Sequence, residues 1–119
     1  MKFVIQKHTA KNLHYDLRLE LNGVLKSWAV PKDPSLTKEK KLLAIQVEDH
    51  PLSYFSFHGI IPKGYGAGNV EIWDKGSYEL KERTKNKIEF VLKGKKLKGT
   101  YVLVRFRPPK NWLFFKVKK

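Results

Sequence analysis

From Leu13 to Leu21 the chain alternates strictly: Leu13, Tyr15, Leu17, Leu19 and Leu21 take the odd positions, His14, Asp16, Arg18 and Glu20 the even ones. Successive side chains of a strand point to opposite faces, so this spacing predicts a strand with one apolar face and one polar row. Asn22-Gly23 follows at once. Both residues tolerate positive φ, as a two-residue type I′ hairpin turn requires, and Val24 to Val30 is expected to return beside the first strand. Residues 3–8 read as another short strand, with Phe3, Ile5 and Lys7 on one side and Val4, Gln6 and His8 on the other. If the loop Thr9 to Asn12 folds these strands together, His8 reaches His14 and Asp16.

The same texture persists to the end of the chain. Apolar runs of four to eight residues recur between turn residues, and no long 3.6-residue period appears. Strands are expected at 3–8, 13–21, 24–30, 42–48, 69–74, 77–82, 87–92, 97–106 and 112–117, with Gly76, Gly94 and Gly99 in or beside the turns and one strand. Residues 35–41 have room for one helical turn. Eight or nine strands in 119 residues predict an all-β fold, a small antiparallel barrel of about eight strands, because closure removes exposed edges. There is no repeat, linker or low-complexity tract, so residues 1–119 read as a single domain.

Composition narrows the chemistry. With no cysteine, disulfides and thiolate zinc sites are excluded. No apolar run approaches the ~20 residues of a membrane span, and the first residues are too polar for a signal peptide. A soluble, cytoplasmic protein without a membrane partner is expected. The 25 basic residues outnumber 11 acidic ones, for a net charge of +14. Such an excess favours a polyanionic partner, nucleic acid above all, although lysine-rich surfaces also serve solubility. Only Arg18, Arg83, Arg105 and Arg107 are arginines. Arginine grips a phosphate through two parallel bonds where lysine offers a point charge, and one of these four stands in the polar row.

Two imidazoles and a carboxylate, His8, His14 and Asp16, are a ligand set for a divalent metal; manganese, zinc and iron(II) all suit them. With Arg18 beside them, metal-dependent chemistry on a nucleic-acid phosphate is the leading expectation. His50 ends a strand just before Pro51, either as an ordinary surface histidine or as a phosphate contact or general acid. Lys32, between Pro31 and Asp33-Pro34, is either a solvated loop lysine or a rigidly placed phosphate contact. Trp28 is expected in the core. Tyr54, Phe55 and Phe57 are more often a satellite core than base-stacking groups. The glycine-rich stretch 59–68 lacks Gly-Lys-Ser/Thr and precedes a strand, so it reads as a structural loop and not a phosphate cradle.

Taken together, several segments resemble the 3′-phosphoesterase domain of bacterial ligase D and its small stand-alone relatives. They are residues 3–8, 13–20, 23–32 and 47–54, with Gly64-Tyr65-Gly66-Ala67-Gly68 and Trp73-Asp74. The chain departs from the family pattern at Asp33, where glycine is usual, and at His58, where glutamate is common. The resemblance implies a β-barrel with a groove and a Mn2+ site, Co2+ or Zn2+ being other ions for it. It implies healing of DNA 3′ ends: removal of a terminal ribonucleoside, then of the remaining 3′-phosphate, to leave a 3′-hydroxyl. The implied partners are primer–template 3′ ends and a separate DNA ligase, with the protein at the nucleoid when on DNA. By the same resemblance His8, His14 and Asp16 match metal ligands. Arg18 and His50 match residues that hold the reacting phosphate, and Gln6, Lys32 and Tyr54 match supporting positions. Two other readings of the residues stand beside it. One is a non-haem iron(II) oxygenase barrel using His14, Asp16 and His50. The other is a non-catalytic nucleic-acid-binding barrel.

Overall fold

The computed structural model describes residues 1–64 and 67–118. Nine strands follow in chain order: β1 (Lys2–Thr9), β2 (Leu13–Leu21), β3 (Val24–Val30), β4 (Leu42–His50), β5 (Gly59–Ile61), β6 (Gly68–Arg83), β7 (Lys87–Lys93), β8 (Lys98–Arg107) and β9 (Asn111–Lys116). The hydrogen-bonded order is β1-β2-β3-β4-β9-β8-β7-β6, and β1 pairs again with β6. Eight antiparallel strands thus close into a barrel. β5 lies outside this ring, paired with β6 at Gly68 to Val70, which β7 does not reach. Two 3₁₀ turns, Pro34–Lys38 and Leu52–Ser56, complete the described structure. No helix among the described residues is long and apolar enough to cross a membrane.

The β2–β3 hairpin forms as its alternation predicts. Asn22 and Gly23 both take positive φ, 56° and 80°, the signature of a type I′ turn. The odd face of β2 turns inward: Tyr15, Leu17, Leu19 and Leu21 are buried, and only Leu13 at the strand's start is exposed. Inside the barrel Tyr15, Leu17 and Leu19 meet Phe3, Ile5, Trp28, Phe90, Tyr101, Phe114 and their neighbours in one cluster. This cluster fills the middle of the lumen. The even face of β2 looks the other way and is part of the outer wall.

Two expectations about β6 and its surroundings are corrected. The runs 69–74 and 77–82, read as separate strands around a turn at Gly76, form one continuous 16-residue strand. Gly76 is there because a Cβ would strike the backbone carbonyl of Lys93 on the adjoining strand, a close approach that mimics a turn signal. A register shift lies at Ile5/Gln6, where β1 passes from Asp74 to Ile72 of β6 and leaves Trp73 out of the ladder. The stretch 59–68, read wholly as loop, contributes β5; three residues bounded by glycine and proline are too short to show a period. Tyr65 and Gly66 of that stretch lie outside the described residues. The helical turn expected at 35–41 starts one residue earlier, because the Asp33 side chain accepts Ser35 N–H (2.8 Å) and caps Pro34–Lys38.

Candidate metal and phosphate site

The polar row of β2 lies against β1 on one side and β3 on the other, and register decides who meets whom. His8 pairs with His14, Gln6 with Asp16, and Ser27 of β3 with Arg18. The short link Thr9 to Asn12 folds β1 and β2 together, which is the condition for His8 to reach His14 and Asp16. One ligand atom each from His8, His14 and Asp16 lies within 4.8 Å of the others. Asp16 Oδ2 is 3.3 Å from His14 Nε2 and 3.8 Å from His8 Nδ1. The two imidazoles meet edge to face, 4.7 Å between centroids.

The donor set fits a divalent cation. His14 Nδ1 lies 3.3 Å from the Asn12 carbonyl. Donation there leaves the lone pair on Nε2, the atom that faces Asp16, in the way metal-bound histidines are commonly oriented. A lone-pair nitrogen and a carboxylate oxygen 3.3 Å apart need a proton or a metal between them. The same contact, a hydrogen bond to Asp16, raises the His14 pKa above its ordinary value against the opposing effect of burial.

Arg18 is the second centre. It is only 3% exposed, an unusual place for a guanidinium unless it is paired and hydrogen-bonded. Nε donates to Gln6 Oε1 (2.7 Å) and Nη1 to Ser27 Oγ (2.8 Å). Nη2 sits 3.4 Å from Asp16 Oδ2, and the plane lies over the Tyr54 ring, 4.9 Å from its centroid. Burial lowers the Arg18 pKa from its ordinary value, and Asp16 opposes that; arginine stays charged regardless.

His50 closes the far side. A register shift in the β3–β4 ladder carries the pairing from Ser27–Val47 to Leu25–His50 and brings the ring beside Arg18. Its Nδ1 is 3.1 Å from Arg18 Nη1 and also 3.1 Å from the Glu48 carbonyl. Burial first, then Arg18, lowers the His50 pKa. The ring is thus disposed to be neutral. Nδ1 either accepts from Arg18, with the ring proton on Nε2, or donates to the Glu48 carbonyl; it cannot do both at once.

The segment after β4 roofs this corner. Gln6, fully buried, donates from Nε2 to the carbonyls of Tyr54 (3.1 Å) and Phe57 (3.0 Å). Both its amide donors are used within the protein, and its oxygen holds Arg18. Tyr54 stacks on Phe57 and meets His50 at 4.8 Å. Burial raises the Tyr54 pKa, so its hydroxyl keeps its proton.

The result is an open cleft of about 510 Å³ lined by His8, His14, Asp16, Arg18, His50 and Tyr54 among others. Lys32 is exposed just past the end of β3 and does not line it. His58 is outside the lining as well. Two residues escaped the sequence reading. Ser27 is buried, accepts from Arg18 and donates to the Leu25 carbonyl (3.0 Å); its signal was its place opposite Arg18 across the predicted hairpin. Lys11 lines the cleft mouth; lying midway between the two histidines, it had to be near them.

Residues 6–105 match the family described as the DNA ligase D 3′-phosphoesterase domain. The multifunctional non-homologous end joining protein LigD of Pseudomonas aeruginosa is 50% identical over 111 residues, covering 88% of this chain and 13% of its own. The LigD protein of Mycolicibacterium smegmatis is 47% identical over 129 residues, 98% of this chain and 17% of its own. That of Mycobacterium tuberculosis strain H37Rv is 45% identical over 121 residues, 98% and 16%. This chain therefore corresponds to a small part of each relative, and over that part it belongs to the DNA ligase D 3′-phosphoesterase domain family.

Proposed function

We propose that the protein is a Mn2+-dependent hydrolase of phosphate esters at DNA 3′ ends, removing a terminal ribonucleoside and then the 3′-phosphate to leave a 3′-hydroxyl during end joining. One observation carries this reading: three metal-type donors within 4.8 Å of one another share an open cleft with a buried arginine and a neutral-leaning histidine. Family membership supplies the phosphoester class, and the net charge of +14 supports a nucleic-acid substrate.

His8, His14 and Asp16 would hold the ion. A divalent metal there supplies charge neutralisation for a phosphoryl oxygen and acidifies bound water. The chain's own groups do the rest. Gln6 and Ser27 fix Arg18 on two sides, so it meets the incoming phosphate without reorganising, and this preorganisation favours the charge that builds in the transition state. In the tautomer whose Nδ1 accepts from Arg18, His50 carries its proton on Nε2 and is a donor for a phosphate or leaving-group oxygen. Tyr54 bears on both residues and holds them against the substrate side of the cleft. Lys11 adds a positive charge at the mouth. His8, His14 and Asp16 are also two histidines and a carboxylate, as an oxygenase would need; what favours the phosphate reading is the buried Arg18 beside them and the phosphoesterase family.

The test is direct. A 5′-labelled primer–template ending in one ribonucleotide is incubated with and without Mn2+, and its 3′ ends are resolved on a gel. A 3′-phosphate product followed by a 3′-hydroxyl product, in Mn2+ only, is expected. Unchanged ends in Mn2+, or equal conversion in EDTA, would overturn the proposal.

A further inference from the structure

A second concavity opens at one end of the barrel, away from the metal donors. It measures about 280 Å³ and is lined by Lys26, Arg83, Thr84, Lys85 and Arg105, with Gln46, Trp28 and Trp112 deeper in. None of its lining residues is acidic; among them Lys26 is the one with a carboxylate partner within the described residues, Asp49 at 2.9 Å. The rim is pinned in place. Arg105 donates to Asn86 Oδ1 from Nε (3.0 Å) and Nη2 (2.8 Å), and its backbone N–H reaches the Asn86 carbonyl (2.8 Å). These bonds hold the β6–β7 turn, with Arg83 and Lys85, across the opening. Gln46 accepts the Trp112 indole N–H through Oε1 (3.1 Å), leaving its amide NH2 as a donor. Trp28 is 1% exposed, and its Nε1 is buried with no hydrogen-bond partner among the described residues. A buried donor left unmatched costs about 1–3 kcal/mol, and the side chains lining the cavity include four cations, Lys26, Arg83, Lys85 and Arg105, and no anion. What such a cavity lacks is an acceptor carrying negative charge.

We propose that this barrel mouth is a second phosphate-binding site, taking a backbone phosphate of the DNA strand whose 3′ end occupies the metal cleft. The inference rests on the functional reading above. The two sites share their strands: Ser27 faces Arg18 in the cleft, while its neighbours Lys26 and Trp28 line the mouth; β4 gives His50 to one and Gln46 to the other. A strand leaving the cleft along β3 and β4 meets the mouth next. The site would hold a substrate longer than one nucleotide in register without touching the reacting phosphate.

The test separates this site from the catalytic one. Affinity for a 5′-fluorescent oligodeoxynucleotide is measured by anisotropy in EDTA across a salt series, for wild type and an Arg83→Ala/Lys85→Ala double variant. The variant should bind at least ~10-fold more weakly, with a salt slope smaller by about 0.7–0.9 for each phosphate it no longer neutralises. Its Mn2+-dependent turnover of a nucleoside 3′-monophosphate should match wild type. A Lys95→Ala/Lys96→Ala variant removes the same charge from the β7–β8 turn at the opposite end and should bind within twofold of wild type. Inorganic phosphate, titrated against tryptophan fluorescence, probes the other source of the anion. Equal DNA affinity in wild type and the Arg83/Lys85 variant, or an equal loss in the Lys95/Lys96 control, overturns the proposal. Tight quenching by inorganic phosphate that the Arg83/Lys85 variant abolishes, with unchanged DNA affinity, assigns the mouth to a free anion and overturns it too. If nucleoside 3′-monophosphate turnover is absent from wild type itself, the catalytic reading fails while the affinity data still judge the mouth.

Discussion

Asp16 and Asp74 are both buried carboxylates, 7% and 4% exposed, on the two strands that flank β1. Asp16 pairs with Gln6 and Asp74 with Ile5, yet their surroundings differ in kind. Asp74 accepts four backbone N–H groups, from Lys75, Lys95, Lys96 and Leu97, at 2.8 to 3.2 Å. Those bonds tie the β7–β8 turn to β6 and leave the carboxylate nothing more to accept. Among the described residues Asp16 Oδ2 faces the side chains of His8, His14 and Arg18, at 3.3 to 3.8 Å, on the wall of an open cleft. A carboxylate matched by backbone donors is a structural tie. One held among imidazoles and a guanidinium, with room beside it, suits the cation- and phosphate-binding role proposed above. What separates the two is not burial but which atoms answer the charge.

The sharpest way to break that contrast is to neutralise each acid in turn. Asp16→Asn should lower 3′-phosphate hydrolysis on the order of 10³-fold, and the folded protein should lose its thermal stabilisation by Mn2+. At 100 times the dissociation constant, a bound ion adds about 2.7 kcal/mol to wild type. Asp74→Asn should do the reverse. It should cost about 3–5 kcal/mol of unfolding free energy while the Mn2+ shift and the activity per folded molecule persist. Urea unfolding with and without Mn2+ reads both. An Asp16→Asn protein that still gained stability from Mn2+ would end the distinction.

Two glycines test the same contrast through the backbone. A Cβ on Gly94 would meet Asp74 Oδ2 and, at 2.6 Å, Phe3 Cζ. Gly68, at φ +142°, would drive one into the Thr9 carbonyl and to 2.8 Å from Ala10 Cα, in the link that follows His8. Each alanine substitution should destabilise by about 1–3 kcal/mol. Only Gly68→Ala should also raise the Mn2+ concentration for half-maximal activity, because only it displaces the link next to His8, a proposed metal ligand. Equal metal requirements in the two variants would mean that His8 is held independently of that link.

The sequence made one half of this contrast far easier to read than the other. The polar cluster of the cleft was legible because alternation along Leu13–Leu21 puts His14, Asp16 and Arg18 on one face, and the Asn22-Gly23 turn fixes the hairpin. Asp74 sat in a run with no comparable signal, since its partners are backbone N–H groups, three of them 21 to 23 residues away, and any sequence supplies those. The barrel itself followed from short runs and turn residues. The continuity of β6 did not, because Gly76 answers to a neighbouring carbonyl that no local pattern reveals. Ser27 was hidden for a related reason: a small hydroxyl on an apolar strand acquires its role only from the guanidinium opposite it.

Tyr78 gives the smallest and most specific test, at the point where the polar row of β2 turns from chemistry to structure. Its hydroxyl donates to the Glu20 carbonyl (2.7 Å), just beyond Arg18 in the row, and the Glu20 side chain accepts the Lys2 backbone N–H (2.8 Å). Burial, with Glu20 adding to it, pushes the Tyr78 pKa up to about 12 from 10.0. The folded protein therefore keeps a proton that the unfolded chain has begun to lose above its own pKa. Linkage gives the sign: the contribution is fully present below pH 10 and is lost as pH rises toward about 12. Tyr78→Phe removes the hydrogen bond, costing about 0.5–1.5 kcal/mol at neutral pH, and removes the titration. The gap between wild type and variant in urea unfolding should be constant up to about pH 10 and narrow above it, with turnover at neutral pH unchanged. A gap that grew with pH would mean that the phenol ionises more easily in the folded barrel. A change in turnover would mean that Glu20 belongs with Asp16 and not with Asp74.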